Sequence, residues 1–211
     1  MFTSSQLSAP SLQAHAFFDQ ASFTVTYILE DEASHQCAII DSVLDFDHGA
    51  SQTSTESADK IIHFIQKRKL SLQWLLETHV HADHLSAAPY LQNLLGGKIV
   101  IGEHIDTVQQ TFSKLLNLDE KQQVKANVFD LLVNETSQLP LGQHSIKVLH
   151  TPGHTPACVC YVIGGAAFVG DTLFMPDFGT ARCDFPDGDA AMLYQSIQKI
   201  LSLPDNTKLY M

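Results

Sequence analysis

The segment Thr78-His79-Val80-His81-Ala82-Asp83-His84 constrains this chain more than any other. Three histidines and an aspartate fall within six consecutive positions, directly after the apolar run Leu72 to Leu76. The run predicts a buried strand. Side chains alternate across a strand, so His79 and His81 are expected to leave its end on one side. Asp83 and His84, opening the next helix, would turn back toward the same point. Imidazole and carboxylate donors converging in this way suit zinc or ferrous iron. The plain alternative is a histidine-rich polar loop. It is disfavoured because neutral imidazoles are costly to bury in a cluster unless something bonds to them, and a metal is the commonest compensation.

Downstream the chain supplies two more donors. Ser145 to Leu149 reads as a strand running into His150-Thr151-Pro152-Gly153-His154-Thr155-Pro156, where proline and glycine impose a tight loop. His154 is the candidate ligand there, and His150 is read as packed or solvated. Ala166 to Gly170 reads as a further strand ending in Asp171, with Gly170 leaving room for the carboxylate to approach a metal. A turn or helix-cap role is the alternative for an aspartate in that place.

Short strands alternate with amphipathic helices along the chain, without internal repeat or low-complexity segment, which suits a layered α/β domain. Phe17 to Leu29 and Cys37 to Ile40 read as neighbouring strands about a turn at Glu30 to Ser34, starting one edge of a sheet. Glu56 to Lys69 places Ala58, Ile61, Ile62 and Ile65 on one helical stripe, with Thr53 and Glu56 as a capping box. Ile105, Val108, Phe112 and Leu115 mark a second helix. Asp189 caps a third, whose inward face carries Leu193, Ile197, Ile200 and Leu201. With 211 residues and 45% hydrophobic content, one domain with one substantial core is expected.

Twelve Lys and Arg against 23 Asp and Glu give a formal charge of −11, which argues against a nucleic-acid groove or an acidic membrane surface as partner. No apolar stretch approaches the roughly 18 residues of a membrane span. The N-terminus shows neither the basic nor the apolar region of an export signal, so a cytoplasmic location is expected. Cys37, Cys158, Cys160 and Cys183 lack the density of a disulfide scaffold and read as small buried hydrophobes.

The ordered set His79-x-His81-x-Asp83-His84, then His154 in its TPGHT context, then Gly170-Asp171 resembles the metallo-β-lactamase-fold superfamily. Within it, the segments Thr78 to His84, Thr151 to Pro156 and Gly170-Asp171-Thr172-Leu173-Phe174 look most like the persulfide dioxygenases, cousins of glyoxalase II. Arg182-Cys183-Asp184-Phe185 adds to this, since the dioxygenases carry an arginine, one residue, then Asp-Phe there. The resemblance runs from about Phe17 to Met211. It implies an αββα sandwich with the metal loops along one edge. It also implies one Fe(II) on His79, His154 and Asp171, with His81, Asp83 and His84 orienting ligands and holding water. Glutathione persulfide or a related small persulfide would then be oxidised with O2 to sulfite and thiol, in sulfide detoxification.

The glyoxalase II resemblance implies a different use of the same residues. There His79, His81, His154 and Asp171 hold one zinc, and Asp83, His84 and Asp171 a second, for hydrolysis of a glutathione thioester. That arrangement calls for a late histidine after a strand like Lys208-Leu209-Tyr210, where this chain stops at Met211. The family pattern therefore implies a single domain over 1–211 that is incomplete at its C-terminus, short of a last strand and helix, and leaves room for a fused rhodanese-like domain. A non-catalytic metal-binding regulator is the third reading. It is countered by a competent ligand at every position the mononuclear enzyme needs. Lactonases and alkylsulfatases share the His-x-His-x-Asp-His core, and the Arg182 segment with the TPGHTP loop tilts the choice away from them.

Arg182 is a candidate clamp for a glutathione carboxylate, with an ion pair to Asp184 or Asp187 as the equal alternative. Asp41, ending the strand at Ile40, is a candidate hydrogen-bond partner of a ligand histidine, against a turn-forming role. Phe174, Met175 and Phe178 are candidate pocket residues, against simple core. Nothing lowers the pKa of Cys183 toward a nucleophile's. A homodimer is what family analogy suggests.

Overall fold

The computed structural model describes residues 2–7, 11–118 and 128–211. Contacts between Cα atoms divide the chain into two units. One comprises Met1–Glu77, His81–Ile99 and Pro140–Ser145; the other comprises Thr78–Val80, Val100–Leu139 and Ile146–Met211.

The first unit begins with β1 (Phe2–Gln6), β2 (Leu12–Phe18), β3 (Val25–Asp31) and β4 (Gln36–Ile40), continues through β5 (Val43–Asp47), β6 (Gln52–Ser54) and helix α1 (Glu56–Arg68), and reaches β7 (Ser71–Leu76). β8 (Leu85–Ser86) and helix α2 (Ala88–Leu95) follow. Strands β1 to β4 are antiparallel neighbours, and β7 joins β4 in parallel with Ile39 opposite Leu75 and Ile40 opposite Leu76. A parallel partner needs a crossover, which α1 supplies. The hairpin between β3 and β4 pairs Tyr27 with Ile40, but the expected strand at Phe17 to Leu29 is divided: β2 ends at Phe18, a turn over 19–24 follows, and β3 runs from Val25 past the expected turn start at Glu30 to Asp31. β1 lies outside the expected edge: Phe2–Gln6 is a polar segment whose place comes from pairing with β2.

Helix α1 buries Ala58, Ile61 and Ile65, while Ile62 is only half-buried. Its cap differs from the expected Thr53/Glu56 box. Thr55 occupies the cap position without a side-chain bond, and the Asp45 carboxylate on β5 accepts from the backbone N–H of Ser57 at 2.8 Å and its hydroxyl at 2.6 Å. Asp83 and His84 do not open a helix. They lie in a bend before β8, and α2 starts only at Ala88.

Farther along the chain come β9 (Lys98–Gly102), helix α3 (Ile105–Leu115), β10 (Leu131–Val133), β11 (Gln138–Leu141), β12 (His144–His150), β13 (Val159–Ile163), β14 (Ala166–Phe168), helix α4 (Ala190–Leu201) and β15 (Lys208–Tyr210); of these, residues 98–99 and 140–145 belong to the first unit and the rest to the second. β12, β13 and β14 form an antiparallel meander, and β15 returns through α4 to pair in parallel with β14. Asp189 caps α4 by accepting from the Met192 N–H at 2.9 Å. Leu193 and Ile200 on that helix are buried, but Leu201 is exposed, as is Leu115 at the end of α3. The expected strand at Ala166 to Gly170 stops at Phe168, and Gly170–Thr172 forms a single 3-10 turn that carries Asp171. Among the described residues no helix is long and apolar enough to cross a membrane.

Candidate metal centre

Three of the predicted ligands meet in the second unit. Thr78 precedes His79, and its carbonyl accepts from the Val159 N–H at 2.9 Å, which pins this stretch to the start of β13. The Thr78 hydroxyl lies 3.0 Å from His79 Nδ1. Gly170 backs directly onto that hydroxyl: its φ is +50°, and a Cβ there would stand 2.4 Å from Thr78 Oγ1. Only glycine permits this approach, and it delivers Asp171 beside His79. From the other side, Thr151 leaves β12 and Gly153 turns at φ +137°, where a Cβ would collide with the Leu193 backbone of α4 at 2.4 Å. The loop thus seats His154.

His154 Nδ1 is 2.7 Å from the Arg182 carbonyl oxygen. A carbonyl only accepts, so Nδ1 carries the hydrogen and, in the neutral ring, Nε2 holds the lone pair. Nε2 of His79 and Nε2 of His154 each stand 3.6 Å from Asp171 Oδ2, and the two rings meet edge to face at 5.1 Å. Both histidines are buried, while the Asp171 side chain is 35% exposed, so the cluster opens at the carboxylate. A cation about 2.0–2.2 Å from three such donors requires them roughly 3–3.5 Å apart. The two histidine–carboxylate separations come within a few tenths of an ångström of this, and all three donors lie within 4.8 Å of one another.

The first unit holds a second cluster. One donor atom from each of His81, Asp83 and His84 lies within 4.8 Å of the others, and the same holds for Asp41, Glu77 and His81. Asp41 sits at φ +51°, with its N–H bonded to Leu76 and its carbonyl accepting from Thr26 Oγ1 at 2.8 Å. This fixes its Oδ1 at 3.1 Å from His81 Nε2. Glu77 Oε2 stands 3.5 Å from the same nitrogen, and Ser86 donates to the other Glu77 oxygen at 2.6 Å. Burial pushes the His81 imidazole down, but the Asp41 carboxylate, assisted by Glu77, outweighs it and holds His81 well above its ordinary value. His84 Nδ1 is 3.0 Å from the Leu85 carbonyl, so in the neutral ring its lone pair lies on Nε2, a buried atom with no hydrogen-bond partner among the described residues. Asp83 accepts from Thr24 Oγ1 at 3.1 Å.

The segment from Glu77 to His84 is irregular rather than an extension of β7, so strand alternation is not what aims His79 and His81. Backbone bends and neighbouring hydrogen bonds aim them instead. His150 takes no part in either cluster; its Nε2 bonds to the Pro156 carbonyl at 2.9 Å.

Around His154, Arg182 forms a two-pronged ion pair with Asp184 at 2.6 and 2.8 Å, on exposed side chains, and its guanidinium covers the Phe185 ring at 5.0 Å. Phe185 in turn meets the His154 ring edge to face at 5.4 Å. Asp187 accepts from Thr111 instead. Met175 and Phe178 are exposed and Phe174 is half-buried, so none of the three is core. Burial pushes the thiols of Cys37 and Cys158 up to about 12, which leaves them protonated and inert. Sequence reasoning missed Glu77, a carboxylate legible beside the histidine motif. It also missed the Arg182 carbonyl, which no side-chain pattern could reveal.

Residues 20–210 match the family model of the metallo-beta-lactamase superfamily. A probable metallo-hydrolase of Burkholderia pseudomallei is 52% identical, over 95% of this chain and 71% of its own. The mitochondrial persulfide dioxygenase ETHE1 of Mus musculus is 32% identical over 92% of this chain, which spans 65% of that enzyme. The crystal structure of ETHE1 from Myxococcus xanthus superposes with a TM-score of 0.73 and 30% identity, over 93% of this chain and 73% of that one. The chain belongs to the metallo-beta-lactamase superfamily and has its α/β fold.

Proposed function

We propose that this superfamily member is a persulfide dioxygenase in which His79, His154 and Asp171 hold one Fe(II). The observation that carries the reading is the donor set: two histidine Nε2 atoms converging at 3.6 Å on one carboxylate oxygen. Two histidines and a carboxylate are the facial set of non-haem iron oxygenases. When bound, ferrous iron supplies open positions for a thiolate and O2 and the electrons that activate them.

The chain's own residues supply the geometry. The Arg182 carbonyl keeps the His154 lone pair on Nε2, Thr78 orients His79, and Gly170 brings Asp171 to meet them. His81 is engaged through Nε2 by Asp41 and Glu77, so it suits an orienting and proton-holding role better than ligation through that nitrogen. In this reading glutathione persulfide, O2 and water give glutathione and sulfite, so that the terminal sulfur is oxidised and the thiol returned. The similarity to persulfide dioxygenase ETHE1 supports it. Capture of a glutathione carboxylate by Arg182 would require that carboxylate to replace Asp184 on the guanidinium.

A dinuclear thioester hydrolase is the second reading. It is favoured by the separate donor group of His81, Asp83 and His84, with its buried His84 Nε2, and by the relative named a probable metallo-hydrolase. One experiment divides the two: oxygen uptake by anaerobically purified, Fe(II)-reconstituted protein given glutathione persulfide, with sulfite assayed in the same vessel. Uptake matched by sulfite is expected. Folded, iron-loaded protein that consumes no oxygen but, loaded with zinc, cleaves S-lactoylglutathione would transfer the assignment to the hydrolase.

A further inference from the structure

His154 and Asp171 come from different segments, and what sets their separation is not in the ligands themselves. We propose that Thr172 and Thr151 are positioning residues: a buried hydroxyl bridge, completed by the Cys160 thiol, fixes the His154 loop against the Asp171 turn. The inference rests on the reading of His79, His154 and Asp171 as metal ligands.

Thr172 is the residue after Asp171, and Thr151 opens the loop that reaches His154 three residues later. The Thr172 hydroxyl donates to Thr151 Oγ1 at 3.1 Å. Thr151 Oγ1 lies 3.3 Å from Cys160 Sγ, and Cys160 Sγ lies 3.6 Å from the Val169 carbonyl. The Val169 oxygen can only accept, so in that contact the thiol donates; Cys160 Sγ also lies 3.9 Å from Thr172 Oγ1, a second acceptor for the same proton. With Thr172 donating to Thr151, Thr151 donates to the sulfur, and the thiol proton returns to Val169 or to Thr172. Both ends lie on the Asp171 turn, because the Thr172 N–H also bonds to the Val169 carbonyl at 3.1 Å. The circuit holds Thr151 from two sides.

Thr151 and Cys160 are fully buried and Thr172 is 1% exposed, so water is not at hand to replace a lost partner. Hydroxyls in such a place are costly to bury without bonds, and a completed network is correspondingly specific in geometry. The thiol is a long, soft link of the size this circuit needs. A shift of either segment would stretch this circuit, so the bond pattern is sensitive to the spacing of His154 and Asp171 alongside the packing of Gly153 on Leu193.

The test is a crossed pair. Thr172→Val keeps the shape and removes the donor; Thr172→Ser keeps the donor and removes the methyl. Zn(II) affinity by competition titration and the Co(II) absorption spectrum read the donor geometry. Amide hydrogen exchange of residues 151–155 and 170–172 in the metal-free protein reads the bridge without any metal. The Val variant is expected to bind Zn(II) about 10–100-fold more weakly, the usual range for losing a supporting hydrogen bond, with an altered Co(II) spectrum and faster exchange in both segments. The Ser variant should match the parent in all three. A Val variant with parental affinity and exchange overturns the bridge, and so does a Ser variant as impaired as Val, which would make packing the cause. If Thr172→Val does not fold, Thr151→Val against Thr151→Ser makes the same contrast, since serine retains the hydroxyl that links Thr172 to Cys160. A parent chain that binds no metal sinks the metal-site reading alone, because the exchange contrast still decides the bridge.

Discussion

Gly170→Ala is the sharpest test of how the candidate metal centre is built. Two costs follow from the structure. At φ +50° an L-residue pays the left-handed penalty of about 1–2 kcal/mol. The new Cβ would also stand 2.4 Å from Thr78 Oγ1 and 2.8 Å from Thr78 Cβ, both below any real contact distance. Thr78 is 1% exposed, so its side chain has nowhere to swing. Relieving such an overlap in a packed interior costs about 1–3 kcal/mol. Together the loss is about 2–5 kcal/mol, or roughly 4–20 °C in Tm for a chain of this size. The displacement falls on the hydroxyl that orients His79 and on the residue before Asp171, so metal affinity should drop about 10–100-fold as well. Gly179→Ala is the control: φ is +80° there, but nothing lies within 4 Å of the added Cβ. It should show the conformational cost alone and leave metal binding intact. Urea unfolding of the metal-free proteins and Zn(II) titration measure both effects. A Gly170→Ala protein no less stable than Gly179→Ala, or one with parental metal affinity, would refute the close-approach argument.

His79→Ala and Asp171→Ala should each lose bound iron and turnover together, and either variant with normal iron content by elemental analysis would end the triad assignment. Arg182→Ala is expected to raise KM for the persulfide while leaving metal content unchanged; unaltered kinetics would confine the guanidinium to its ion pair with Asp184. His15, buried on β2 and hydrogen-bonded to Glu30 at 2.8 Å, has its pKa lowered by burial, which the Glu30 contact offsets only in part. The unfolded chain then binds this proton at a higher pH than the folded one. Stability should therefore fall as pH drops below about 6.5, down to the lowered native value, a window that unfolding free energies between about pH 5 and 8 would sample. His15→Gln should flatten that slope, and an unchanged slope would move its origin elsewhere.

What could be read in advance, and what could not, divides along a physical line. Elements announced by side-chain periodicity were legible: the stripe of α1, and α4 with its Asp189 cap. The apolar run Phe17 to Leu29 announced β3 beside β4 but concealed the turn that separates β3 from β2. Elements whose place comes from pairing or from context were not legible. β1 has the polar sequence Phe-Thr-Ser-Ser-Gln, and α2 is a two-turn helix with too few residues to show a period. The candidate site divides in the same way. The donor residues stood out by type and spacing, but the means of aiming them did not. Strand alternation predicts one direction for His79 and His81, whereas bends, the Thr78 hydroxyl and the left-handed Asp41 provide the actual orientation, and the Arg182 carbonyl aims His154. Asp171 was expected at a strand end and stands in a 3-10 turn, placed there by an absent side chain at Gly170. Backbone carbonyls and missing Cβ atoms leave no mark in a residue pattern until the fold supplies the neighbour they meet. It follows that substitutions at Gly170, Thr78 and Thr172, none of them a metal donor, should perturb this centre more than many changes to polar residues nearer its exposed mouth.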